Sequence, residues 1–454
     1  MKNKRSDFRE PCHEHAMKKA LIFGTGENMF RAYEKLIDNY KILAFLDNDS
    51  SKQGNKIANY PIISIKDVNN FVYDFIIVTP SNHQSICRQL LDFGVNRENI
   101  ILLRDIVDYS QYKNTLTVAF CLQGNLTNYL VAANYIWYTA KFILPDSYSI
   151  DVYCASEKSY AHFVFDNSDL VQCVYDYPLK DRDFVDYDMV VELDSYPMIL
   201  YYDEYILARI APKTVDYLLS CEKFRILYGQ ILGKEPFMRN HLTVYQEIKG
   251  HTWLQTPDAD GFLGISREYK YRLSVENDTI LDLPSHGQAW IILCSMPSGR
   301  VKDWPRSYWD TLRGRLLDVY SDHWILDVIK KESDGYFVIC LHGEEKMCQR
   351  LNLAQMAILL RESRLMVSVD NPLVRLRYAL HGSSSVVLFG PTSEKVGGCS
   401  GNINLRGTGC KHWCEDVSED WKKRCLLGEY PSPCMISITP EWVLDAVEQC
   451  LSKG

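Results

Sequence analysis

The sequence has no uninterrupted apolar run near the roughly 18 residues that a membrane helix needs, so no span is expected. It has no surplus of basic charge: 50 Lys and Arg stand against 58 Asp and Glu, a formal net charge of −8. That balance argues against a surface for nucleic acid or another polyanion, though it leaves room for a local basic cleft. Internal repeats and low-complexity tracts are missing, which excludes solenoids and repeat arrays. The opening MKNKRSDFREPCHEHAMKK is charged and has no apolar centre, so residues 1–17 read as a leader but not as a secretory signal. A cytoplasmic protein is expected, with peripheral membrane contact left open. Cysteine is not scarce: there are 15, read in such a compartment as mostly buried thiols, with a metal only where they cluster. With 46% hydrophobic and 24% charged residues, the 454-residue chain has the composition of a globular protein of several domains.

Residues 18–110 open as a Rossmann-type α/β unit. KKALIFGTGENMFRAYEKLI reads as strand, glycine turn and helix. KILAFLDND reads as a second strand ending at Asp47, and FVYDFIIVTP and NIILL read as further strands. Gly24 and Gly26 suit a phosphate turn, and Asp47, 21 residues beyond Gly26, suits a ribose hydroxyl. Met29 stands where the third glycine of that fingerprint belongs. The pattern FGTGE followed by FLDND is similar to the small nucleotide-binding-fold domains that precede sugar-modifying enzymes. A ligand-binding role and a docking role for this unit are equally open.

The most informative stretch is LMVSVDNPLVRLRYALHGSSSVVLFGPT, residues 365–392. Short apolar runs flank a helical segment, which predicts a strand over 365–369, a helix after Pro372 and a strand over 385–389. In a parallel sheet, ligands sit beyond the carboxyl ends of the strands, where Asp370-Asn371-Pro372 and Gly390-Pro391-Thr392 fall. The helix amino end at Pro372 is a seat for phosphate. Here the chain resembles glycosyltransferase family 9, the ADP-heptose:lipopolysaccharide heptosyltransferases, in its strand, Asp370 and Phe389-Gly390-Pro391-Thr392. Pro372 stands at that family's Gly and Arg375 at its His, and one extra residue lies in His381-Gly382-Ser383.

Two further stretches extend the resemblance, which runs over residues 116 to 447. Arg300-Val301-Lys302-Asp303-Trp304-Pro305 is similar to the family's Lys-x-Trp-Pro motif, and the resemblance implies that Lys302 pairs with the donor diphosphate. Asp370, Asn371, Arg375, Gly390, Pro391 and Thr392 would line the same donor site, and Glu344 in Gly343-Glu344-Glu345 would meet the donor ribose. Near the start of the second unit, Gln123 to Asn128 precedes a helix, as the family's Gly-x-Leu-Gly-Asp does. Thr127 stands at that Gly and Asn128 at that Asp, the expected general base. An amide cannot take up a proton at neutral pH, so another carboxylate serves, or Asn128 only orients the acceptor, or the protein is not catalytic. Glu192, at the end of MVVEL, is the nearest substitute by topology. His251, Asp258 and Asp260 are weaker candidates for the acceptor side.

Cys410, Cys414, Cys425 and Cys434 lie within 25 residues among glycine and charged residues. Four soft ligands there suit a structural Zn or Fe, and four unliganded thiols suit the sequence equally well. The ending Cys434-Met435 before Ile438-Thr439-Pro440-Glu441 resembles the family's cysteine-bearing members.

The resemblance implies a GT-B architecture. Two facing Rossmann-like domains, an acceptor unit at 115–283 and a donor unit at 284–454, follow the separate small Rossmann-like domain. It implies transfer of a heptose or hexose from a nucleotide diphosphate sugar to a glycan or protein hydroxyl, in lipopolysaccharide, capsule or glycoprotein synthesis. No divalent metal is expected for catalysis. The alternative is a non-catalytic sugar-nucleotide-binding or assembly subunit. A sugar-nucleotide-modifying enzyme with its chemistry in the first domain is disfavoured by Met29 and by the missing catalytic dyad.

Overall fold

The structure of the chain is a computed structural model. It describes residues 17–80, 83–106, 115–193, 196–232, 241–258, 260–275, 289–296, 299–342, 347–411, 414 and 419–452. Three α/β units follow one another, each built on its own mainly parallel sheet. The first holds β1 (Lys18–Phe23), β2 (Tyr40–Leu46), β3 (Lys56–Ile57), β4 (Tyr60–Ile63), β5 (Phe75–Val78) and β6 (Ile100–Leu102), in the order β3-β4-β2-β1-β5-β6. The second holds β7 (Leu116–Leu122), β8 (Tyr148–Cys154), β9 (Cys173–Tyr175), β10 (Met189–Leu193) and β11 (Pro197–Tyr202), ordered β11-β10-β7-β8-β9. The third holds β12 (Ala289–Cys294), β13 (His323–Lys331), β14 (Phe337–His342), β15 (Met347–Leu351), β16 (Leu365–Val369), β17 (Ser385–Phe389) and β18 (Ile403–Arg406). Its order is β15-β14-β13-β12-β16-β17-β18.

The 365–392 stretch folds as its pattern predicts. All residues of β16 and β17 are buried, as continuous apolar runs in a doubly covered parallel sheet should be. The helix Pro372–Ala379 joins them, with Pro372 as its first residue and the Asn371 side chain accepting from the Leu373 amide. The extra residue after this helix makes a tight exit with His381 at φ 55°. Arg377, fully buried, braces that exit by donating to Ser383 O (2.9 Å) and to Leu360 O and Ser363.

The second and third units face each other and share one apolar core. This explains the helix Leu126–Phe142, whose apolar residues run round its circumference and not along one stripe. One side lies on its own sheet and the other meets the helix Pro372–Ala379 of the third unit. Two facing α/β units preceded by a smaller one constitute the expected architecture. The first unit reaches the second through Asp186, which meets Arg104 at 3.1 Å and His83 at 3.4 Å. Arg88 also lies over the Tyr177 ring at 4.1 Å.

Two further features bear on the sequence reading. Cysteines were expected as thiols, yet Cys340 and Cys348, direct partners across β14 and β15, form a disulfide. Among the described residues no helix is long and apolar enough to cross a membrane.

Candidate functional site

In each sheet the first strand lies between two later strands, and beyond the carboxyl ends at such a switch point is where ligands bind. In the third sheet that point lies between β12 and β16. β12 leads to the short helical turn Arg300–Lys302, and β16 leads to Asp370. The two loops meet there. Lys302 Nζ donates to Asp370 Oδ2 at 2.5 Å and to Asp370 O at 3.3 Å. Thr392 Oγ1, beyond β17, donates to the same carboxylate oxygen at 2.9 Å. Arg375, one turn into the helix, donates to Asp370 Oδ1 at 2.6 Å, to Asn371 O at 3.2 Å and to Gly397 O at 3.3 Å. All four side chains are buried.

Two cations therefore share one carboxylate. Burial alone would raise the Asp370 pKa, but the Arg375 guanidinium and the Lys302 ammonium hold it well below the usual carboxylate range. Two buried cations thus meet one carboxylate beside the amino end of a helix, an arrangement suited to a diphosphate. Asn371 secures the frame: its Nδ2 donates to Ser368 Oγ (2.8 Å), Met296 O (3.2 Å) and Cys294 Sγ (3.3 Å). Gly390 is required because a Cβ there would lie 2.3 Å from Met435 Sδ. Pro391 O accepts from the Cys414 amide at 3.0 Å. Glu344 lies outside the described residues.

The first unit's crevice, between β1 and β5, is filled by its own chain. Burial would raise the Asp47 pKa, but hydrogen bonds from the Thr25 hydroxyl, the Asp49 amide (3.0 Å) and Lys52 (3.1 Å) hold it low. The carboxylate proposed for a ribose is thus already occupied. Gly24 has φ +96°, and a Cβ on it would strike Pro80, which packs where a pyrophosphate would approach. Met29 is a fully buried core residue, which accounts for the missing glycine. At Gly26 an added Cβ would meet nothing within 4 Å, so space exists there but not a cradle.

In the second unit, Asn128 closes a capping box. Its Oδ1 accepts from the Asn125 amide at 3.1 Å, and Asn125 Oδ1 accepts from the Thr127 amide at 2.9 Å. Glu192 pairs with Cys121 of β7 and Met198 of β11. Val191 and Leu193 join the core that contains the helix Leu126–Phe142, whereas Val190 packs with Tyr187 on the other face. Strand alternation puts Glu192 on the Val190 face, beside a Cys121 thiol that burial, with Glu192 next, pushes up to about 12. Asp258 and Asp260 shape their own loop. Asp258 accepts the Leu263 and Ile265 amides (2.8 and 2.9 Å), and Asp260 accepts Ser220 Oγ (2.7 Å). His251 pairs with Gln246 at 3.1 Å.

The cysteines are neighbours without converging. Burial, opposed by Arg406 and aided by Cys414, Cys410 and Cys425, raises the Cys434 thiol to about 11. Among the described residues, however, no group of three or more His, Cys, Asp or Glu is disposed to hold a metal ion.

Three residues at the donor cluster were not singled out by sequence. Trp253 presents its ring 5.6 Å from the Arg375 guanidinium, and Trp421 lies 5.5 Å from Lys302 Nζ. Glu247, from the helix His241–Lys249, accepts from Ser393 Oγ (3.2 Å) and Lys395 Nζ (2.8 Å), next to Thr392. Trp253 and Trp421 sit in stretches dominated by turn residues or cysteines, and Glu247 in an ordinary charged helix. No spacing ties them to residues over a hundred positions away.

Residues 258–430 match the family model of glycosyltransferase family 9 (heptosyltransferase). Residues 16–101 match the model described as C2185-like, N-terminal. The first match takes in the whole donor cluster except Trp253 and Glu247, and it leaves the helix carrying Asn128 outside. No curated protein matches the chain. Among solved structures, the chain is similar to the iron-containing dodecameric glycosyltransferase TibC from enterotoxigenic E. coli H10407. That likeness has 9% identity, a TM-score of 0.45, and covers 75% of this chain and 77% of that one. A glycosyltransferase family 9 protein from Veillonella parvula DSM 2008 shows 12% identity and a TM-score of 0.44, covering 75% and 98%. E. coli heptosyltransferase WaaC with ADP shows 14% identity and a TM-score of 0.40, covering 74% and 99%.

Proposed function

We propose that this chain, which carries a glycosyltransferase family 9 domain over residues 258–430, transfers a heptose or hexose from a nucleotide diphosphate sugar. The acceptor is a hydroxyl of a glycan or a protein, in the making of lipopolysaccharide, capsule or glycoprotein. The observation that carries this reading is the buried Lys302–Asp370–Arg375–Thr392 cluster at the crossing of the third sheet, with two cations to one carboxylate. During transfer the acceptor oxygen bonds to the sugar's anomeric carbon as the bond from that carbon to the phosphate oxygen breaks. The nucleoside diphosphate leaves with the electron pair, and its growing charge is met by Lys302, Arg375 and the helix amino end. Fixed cations of this kind act without reorganisation, so they favour the transition state over the bound donor.

The acceptor's proton needs a carboxylate. Asn128 is an amide and caps its helix, so its role is to hold the loop that orients the acceptor. Glu192, at the end of β10, and Glu247, bonded to the donor loop at Ser393, are the proposed bases. The engagement of Asn128 in a helix cap also favours a second reading, in which the chain binds nucleotide sugar without turning it over. Release of nucleoside diphosphate from ADP-, GDP- and UDP-linked hexoses and heptoses distinguishes the two. The transferase reading predicts release that increases when a glycan acceptor is added. Tight nucleotide binding with no release under any of these donors supports the second reading and ends the first.

A further inference from the structure

Cys414 and the residues 419–438 together touch every residue of the Gly299–Trp304 loop. A Cβ on Gly299 would lie 2.9 Å from Lys422 O, so the two backbones run against each other. Arg300 stacks on the Tyr430 ring at 4.2 Å. Val301 packs with Cys414 and Trp421 in a small buried cluster. Lys302 Nζ lies 5.5 Å from the Trp421 ring centre. Asp303 Oδ2 accepts from Tyr430 OH at 2.7 Å, and Trp304 Nε1 donates to Ile438 O at 2.8 Å. The same segment also reaches the second donor loop, through the Cys414 amide to Pro391 O and through Met435 and Cys434 under Gly390. Within the described residues the lysine loop's own bonds are those of a single helical turn, and its pair to Asp370 reaches outside it. Its position is therefore set largely from outside.

We infer that this segment is a strap that fixes the donor-site lysine, and that Trp421 is the positioning residue through which it acts on Lys302. The inference rests on the donor-site reading and adds to it the residue that sets the lysine's place and surroundings. Trp421 is 7% exposed, so its ring removes water from one side of the ammonium while its π face attracts the charge. A lysine held this way presents its remaining donor to a phosphate from a fixed place and in a drier setting, where charge counts for more. Tyr430 contributes by pinning the loop on either side of Lys302, through Arg300 and Asp303.

The test is calorimetric binding of ADP, GDP and UDP to the full chain, using whichever binds tightest, together with thermal unfolding of each variant. Trp421→Leu keeps an apolar side chain at the site but removes the π face, and is expected to weaken binding by about 3- to 30-fold. Trp421→Phe should restore most of that loss, because the aromatic face returns. In a Lys302→Ala background, Trp421→Leu should change affinity by less than ~2-fold, because its partner is already gone. A purely structural role would instead lower affinity equally in both backgrounds and lower the unfolding temperature, and that result overturns the inference. Unchanged affinity in Trp421→Leu with weakened binding in Lys302→Ala also overturns it and leaves the donor site standing. Unchanged affinity in Lys302→Ala itself removes the donor-site reading beneath it.

Discussion

The first and third units each have a switch point in a mainly parallel sheet, with opposite results. Each has a parallel sheet whose first strand is flanked by two later ones, a loop beyond it, and an aspartate at a neighbouring strand end. In the first unit, Asp47 meets one half-exposed lysine, a hydroxyl and two amides of its own loop, and Pro80 packs over Gly24. Its charge is matched and its space is filled. In the third unit, Asp370 is outnumbered by Lys302 and Arg375, and a helix begins beside it. The comparison teaches that a switch point supplies only the place. Buried cations converging there beside a helix amino end are what make it a candidate anion site.

The comparison breaks most visibly at Asp370. Asp370→Ala leaves two buried cations facing each other, a defect that costs about 3–5 kcal/mol. The expected result is a large fall in unfolding temperature. Because the folded pKa of Asp370 lies below its unfolded value near 3.9, its stabilisation is complete above roughly pH 4 and is lost as pH falls. The acid limb of a stability profile should therefore flatten in the variant, and an unchanged limb would refute the charge balance drawn here.

A second step concerns the base. If Glu192 takes the acceptor proton, Glu192→Gln should lower turnover by ~100-fold with donor affinity unchanged. If Glu247 does, the loss should appear in Glu247→Gln instead. Equal activity in both variants would remove both carboxylates from the mechanism.

A smaller effect separates structural acids from the donor cluster. Asp151 is buried, with Oδ2 accepting from Tyr187 at 2.8 Å and Oδ1 without a partner. Burial pushes its pKa up to about 6. The folded state holds that proton more tightly than the unfolded one, so its contribution falls as pH rises from about 4 to 6. Asp151→Asn should then raise stability at pH 7 by about 1–3 kcal/mol and do little at pH 4. A loss of stability at pH 7 would show the charge to be compensated.

The smallest effect belongs to the first crevice. Asp47→Ala should leave nucleoside diphosphate affinity within ~2-fold and cost about 1 kcal/mol of stability. Loss of nucleotide binding in this variant would mean that the first unit, not the third, holds the ligand.

Much of this was legible in the residues themselves. Continuous valine and leucine runs marked β16 and β17 as doubly covered strands, and Asn371-Pro372 marked the helix start between them. Lys302 and Asp370 were each placed at a strand mouth by their flanking turns. What could not be read was who answers whom. Asp47 and Asp370 look alike in sequence, and only the fold shows that one is matched by Thr25 and Lys52 and the other is overmatched. Arg375 looked like a departure from the family pattern, yet it supplies the second cation. Trp253, Trp421 and Glu247 reach the cluster from separate elements. Four clustered cysteines suited a metal and free thiols equally, because spacing does not determine whether thiols converge.

The central claim is that Lys302 and Arg375, gathered at Asp370, bind the diphosphate of the donor. Its most direct test is isothermal calorimetry of ADP, GDP and UDP with the unaltered chain, Lys302→Ala and Lys302→Arg. At least one diphosphate should bind the unaltered chain, and Lys302→Ala should weaken it by ~10-fold or more. Lys302→Arg should recover only part, because a planar fork does not replace a compact ammonium. The same affinity in Lys302→Ala as in the unaltered chain would contradict the account.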